Sequence, residues 1–174
     1  MSSIKNSAPP PPSRSTKTRD GHDLLESVGA ILAGERDWLA NLANVASLVA
    51  AHLPDTNWVG FYLWRDGQLV LGPFHGLPAC TRIAKGRGVC GAAAEKRTTI
   101  IVPDVHAFPG HIACDSRSSS EIVVPLLNGQ RLLGVLDLDS PNLARFNEAD
   151  QSVLESIAQR LVQATDWPTF LGKD

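Results

Sequence analysis

Three cysteines stand at positions 80, 90 and 114, separated by 10 and 24 residues. No two make the CxxC spacing of a zinc knuckle or a thioredoxin-like site, and an odd number of thiols argues against a framework of structural disulfides. Spaced thiols suit a redox cycle instead. One attacks, a second resolves the sulfenic acid as a disulfide, and an outside dithiol restores both. Cys114 is the least suited of the three to be inert, because it lies in the polar segment His111-Ile-Ala-Cys-Asp-Ser-Arg117. There His111 or Arg117 would stabilise a thiolate, the form that attacks. The plain alternative for each cysteine is a buried, unreactive thiol. His106, His111 and Cys114 could lend metal ligands from one loop, but no fourth ligand is evident and no metal is expected.

Carboxylates and aromatic residues add a second constellation. Side chains alternate along a strand, so Trp58, Gly60 and Tyr62 share one face while Val59, Phe61 and Leu63 share the other. The same rule sets Leu132, Gly134, Leu136 and Leu138 against Leu133, Val135, Asp137 and Asp139. Two acids on a face that also carries Trp58 and Tyr62 would form a pocket with aromatic walls and anionic groups, suited to an ammonium. Against this stand two simpler possibilities: solvated acids at the frayed end of an edge strand, and aromatic residues that merely fill a core. Hydrolase and phosphate chemistry are unsupported. There is no GxSxG elbow, and Gly86-Arg-Gly88 matches neither the GxGxxG nor the Walker pattern.

The elements that must position these residues follow from periodicity. Leu24, Val28, Ile31 and Leu32, then Trp38, Leu39, Leu42, Val45, Ala46 and Val49, predict two helices or one kinked at Gly34. Trp58 to Trp64 and Gln68 to Phe74 predict a hairpin at Asp66-Gly67; Glu121 to Leu127 and Arg131 to Asp139 predict another at Asn128-Gly129. Cys80 to Lys85 and Thr98 to Val102 read as strands, Val89 to Lys96 as a short helix, and Pro103 to Ser120 as a long irregular stretch. A last helix starts after Asn147, its N-cap. Hairpins in place of βαβ crossovers imply an α+β fold with a central antiparallel sheet.

With 174 residues, one domain over residues 23–166 is expected, flanked by a Pro/Ser-rich flexible N-terminal tail over 1–22 and a short C-terminal tail over 167–174. A net charge of −2 lacks the basic excess for nucleic acid, and no apolar run approaches a membrane span. Without an apolar signal region near the N-terminus, a cytoplasmic protein is expected.

The motifs NWVGFYLW from Asn57, LGPFHGLPAC ending at Cys80, GRGVCG around Cys90, FPGHIACDSRSSSEIVVP from Phe108 and GVLDLDSP from Gly134 resemble the GAF-domain free methionine-(R)-sulfoxide reductases. The resemblance covers about Leu24 to Ala164, with His75 and Leu77 standing where relatives usually have Gln and Lys. It implies a GAF fold with helices on one face of the sheet and a ligand pocket on the other, commonly in a homodimer. It implies thioredoxin-dependent reduction of free L-methionine-(R)-sulfoxide, with no bound cofactor. By position it makes Cys114 the attacking thiol, Cys80 the usual resolving partner, and Cys90 a third thiol of the relay. Glu121, Asp137 and Asp139 become the acids around the substrate, and Trp58 and Tyr62 its aromatic wall. A rival within the same fold is a sensor of cyclic nucleotides. Phe146 and Asp150 partly echo its NKFDE signature, but Gln151 replaces the final Glu and Asn128 is followed by Gly129.

Overall fold

A computed structural model describes residues 14–110 and 116–173, and side chains from residue 21 onward. His111 and Cys114 lie outside the described residues. The chain runs α1 (Arg14–Leu32), α2 (Trp38–His52), β1 (Trp58–Arg65), β2 (Gln68–His75), β3 (Arg82–Ala84), α3 (Gly88–Lys96), β4 (Ile100–Val102), β5 (Ser120–Asn128), β6 (Arg131–Ser140) and α4 (Glu148–Ala164). A 3-10 turn, Val105–Ala107, lies within the irregular stretch between β4 and β5.

The six strands form one antiparallel sheet in the order β3-β2-β1-β6-β5-β4, so the α+β class and sheet type are as expected. The first hairpin turns where predicted. Asp66 and Gly67 both take positive φ, 49° and 75°, the pairing a two-residue type I′ turn needs. The second is displaced by one residue: Asn128 pairs with Arg131, so Gly129 and Gln130 form the loop and only Gly129 supplies a positive φ of 60°.

On one face, Val59, Phe61, Leu63, Ile122, Val124, Leu136 and Leu138 meet Leu24 and Val28 of α1, Leu42, Val45 and Val49 of α2, and Leu154, Ile157 and Leu161 of α4. Leu39 departs from the predicted stripe and is exposed. The opposite face carries Trp58, Tyr62, Trp64, Val123 and Val135, covered by Val89, Cys90, Ala93 and Ala94 of α3. Three helices thus cover the core face, while α3 stands on the pocket face. The β1 alternation holds throughout. In β6 it fails at the start: the register slips between Leu126 and Leu127, so Leu132 faces α3 and Leu133 faces the main core. An extra residue in one strand of a pair reverses the facing of everything beyond it. Gly134 sits at this irregularity, where a Cβ would collide with the Tyr62 carbonyl oxygen.

Among the described residues, helix and packing extend on both sides of residues 23–166. Helix α1 begins at Arg14, inside residues 1–22, because no proline follows Pro12 until Pro54 and each further helical residue adds a hydrogen bond. At the other end Leu171 is fully buried, the Gly172 amide donates to the Trp64 carbonyl, and the Arg131 guanidinium donates to the carbonyls of Pro168 and Leu171. Residues 167–173 are therefore part of the domain. Helix α4 opens with the predicted cap: Asn147 accepts from the Ala149 and Asp150 amides, and Asp150 accepts in return from the Asn147 amide. Among the described residues no helix is long and apolar enough to cross a membrane.

Candidate active site

A pocket opens between the sheet and α3. Trp58, Tyr62, Cys90, Glu121, Asp137 and Asp139, six of the residues singled out from sequence, line it together. Cys80 does not reach this wall. It is half-buried beside Ala79, which does, and packs at the margin of the pocket-side cluster.

Strand pairing explains the convergence. β6 is central, held by β1 and β5, so Asp137 and Asp139 are not on a frayed edge. Asp139 pairs with Trp58 on one side and Glu121 on the other, while Asp137 pairs with Gly60 and Val123. Three carboxyl groups from neighbouring strands therefore share one face. Glu121 and Asp137 are each only 6% exposed, and like charges this close disfavour joint ionisation.

The aromatic wall is fixed from several sides. The Trp58 ring stacks on Tyr62 at 5.8 Å and on Phe74 at 5.4 Å, and its indole N–H donates to the Leu77 carbonyl at 3.1 Å. It crosses Gly60, where a Cβ would stand 2.5 Å from the indole, so the glycine makes room for the ring. Phe74, Leu77 and Gly60 thereby hold Trp58 in the pocket wall.

Competing effects act on Cys90. As the third residue of α3 it sits at a helix N-terminus, which favours a thiolate. Burial, reinforced by Asp137 and Glu121, wins and pushes the thiol well above its ordinary range. The Cys90 thiol lies 4.0 Å from Glu121 Oε1. Burial also drives Glu121 well above the usual glutamate range, with Asp137 and Asp139 adding to the shift. Burial raises Asp137 to about 7, against the lowering effect of hydrogen bonds with Cys90 and Glu121. The result is a buried proton reservoir: carboxyls that keep a proton where ordinary acids have ionised.

Sequence reasoning missed Ser118 and Arg87, which also line the pocket. Ser118 is buried, and its hydroxyl accepts from the Asn57 amide at 3.1 Å. Arg87 is exposed at the rim, inside the Gly86-Arg-Gly88 run weighed only as a phosphate loop. His106 is exposed.

The GAF domain family matches residues 37–164. Over 159 residues the chain is 45% identical to the free methionine-R-sulfoxide reductase of Escherichia coli strain K12, covering 90% of this chain and 96% of that protein. It is 49% identical over 150 residues to Protein YtsP of Bacillus subtilis, covering 85% and 92%. Its fold superposes on the X-ray structure of free methionine-R-sulfoxide reductase from Neisseria meningitidis in complex with its substrate. That match has a TM-score of 0.82 and 44% identity, covering 94% and 95% of the two chains. Fold, motifs and near full-length identity agree, and the chain belongs to the GAF-domain free methionine-R-sulfoxide reductases.

Proposed function

We propose that this protein reduces free L-methionine-(R)-sulfoxide to L-methionine, with Cys114 as the attacking thiol and thioredoxin as the electron source. The observation that carries the proposal is the gathering of Trp58, Tyr62, Glu121, Asp137 and Asp139 around one buried pocket. Relatives named as free methionine-R-sulfoxide reductases, 45% and 43% identical to this chain, support it.

Each residue takes a role its surroundings suit. Glu121, held protonated by burial and its acidic neighbours, donates a hydrogen bond or proton to the sulfoxide oxygen, otherwise a poor leaving group. The Cys114 thiolate attacks the sulfoxide sulfur. The protonated oxygen passes from that sulfur to the cysteine sulfur as its bond to the substrate breaks, methionine departs with its sulfur reduced, and a second thiol condenses with the Cys114 sulfenic acid, releasing water and forming a disulfide. Cys80 or Cys90 is that second thiol. The dithiol of thioredoxin then reduces the disulfide and is itself oxidised. Asp137 or Asp139 holds the substrate ammonium, a charge that a residue inside a peptide lacks, so the free amino acid is preferred. Trp58 packs against the methyl group. Ser118, four residues after Cys114 in the chain, lines the pocket wall.

The test offers the two free epimers and a methionine-sulfoxide peptide to the protein with thioredoxin, thioredoxin reductase and NADPH. Loss of the free R epimer alone is expected. Equal turnover of the S epimer or the peptide, or tight cyclic-nucleotide binding without turnover, would overturn the proposal.

A further inference from the structure

We infer that Cys90, Glu121 and Asp137 form a binding site for a thiophilic divalent cation such as zinc, placed to block the pocket. The binding site stands on geometry alone, and only its inhibitory consequence rests on the reaction proposed above. One ligand atom from each of the three lies within 4.8 Å of the other two, and all three side chains are buried. A thiolate and two carboxylates are donors that Zn²⁺ accepts in tetrahedral sites, at about 2.3 Å to sulfur and ~2.0–2.2 Å to oxygen.

A second observation points to a ligand. Asp137 is 6% exposed, yet its Oδ1 has no hydrogen-bond partner among the described residues. A buried carboxylate oxygen without a partner costs free energy, and native structures satisfy such groups with hydrogen bonds or metal ions. The three donors come from three separate elements, α3, β5 and β6, so the fold itself brings them together. Three protein ligands leave one position of a tetrahedron, and the pocket beside them can fill it with water. An ion there displaces to solvent the protons held by the Cys90 thiol and the two carboxyls, takes all three groups as anionic ligands, and removes Cys90 and Glu121 from any other chemistry. Zinc would therefore act as a reversible inhibitor, not a cofactor.

The test uses Co²⁺ alone as a spectroscopic substitute, added to the reduced full-length protein without substrate. One ion per chain should bind with a sulfur-to-cobalt charge-transfer band. That band should survive Cys114→Ser and Cys80→Ser and vanish in Cys90→Ser. Glu121→Gln and Asp137→Asn should each weaken binding at least about tenfold, the low end of losses seen even for outer partners of metal sites. Circular dichroism of each variant separates a lost ligand from a lost fold, and affinity in the two carboxyl variants decides the question if Cys90→Ser does not fold. A band that depends on Cys114, persists without Cys90, or never forms at millimolar Co²⁺ would overturn the inference. So would affinity unchanged in both carboxyl variants.

Discussion

On the helix-covered face of the sheet, Leu136 lies between Phe61 and Val124, each no more than 2% exposed. One residue along, Asp137 lies between Gly60 and Val123 and is almost as withdrawn from water, yet it borders a pocket. The same three strands therefore build a dry core and a wet-chemistry cavity, separated by a single step of the pleat. Burial stabilises on one side, where a leucine side chain contributes about 1.5–3 kcal/mol. On the other it is a cost, visible in carboxyls that resist ionisation. A wide apolar face offsets that cost and leaves the pocket free to be shaped by reactivity.

Substitutions on the two faces should accordingly separate activity from stability. The largest effect is expected from Glu121→Gln: turnover falls by about 10²–10⁴, the usual loss on removing a general acid. Its melting temperature should not fall, because the change also removes a buried ionisable group. A large drop in melting temperature with little loss of turnover would assign Glu121 to structure. Leu136→Ala should do the reverse, losing about 2–5 kcal/mol in chemical denaturation while the folded fraction turns over as before.

A smaller and opposite-signed effect concerns pH. Asp137 holds its proton up to about 7 in the folded state but releases it near 3.8 when unfolded. Between these values the folded state binds more protons, so stability falls as pH rises, by at most about 1.4 kcal/mol per pH unit for this group. Denaturation at pH 5 and pH 7 should show the protein more stable at pH 5 by more than Asp137→Asn is. An identical pH difference in the variant would place the titration elsewhere.

Much of this division was legible in the sequence where local rules decide. Alternation sorted the residues from Trp58 to Leu63, and Asp66-Gly67 marked its turn. The rule failed at Leu132 and Leu133, because the register slip is set by how β5 and β6 pair and leaves no local mark. Asp137 and Asp139 could be placed on one face but not in the sheet's centre, since strand order is a long-range property. Glu121 came only through family resemblance, as its place opposite Asp139 depends on the same pairing. Ser118 escaped notice among neighbouring serines, and its value comes from a contact with Asn57, 61 residues away.

The most direct test of the pocket as a thiol-based reductase site is a single turnover without any external reductant. The reduced protein is mixed with excess free methionine-(R)-sulfoxide, methionine is counted, and the disulfide is mapped by mass spectrometry. One methionine per chain is expected, with Cys114 joined to Cys80 or Cys90, and none from Cys114→Ser. Undiminished methionine from Cys114→Ser, or a full turnover that leaves Cys114 a free thiol, would contradict a thiol-based reductase centred on that residue.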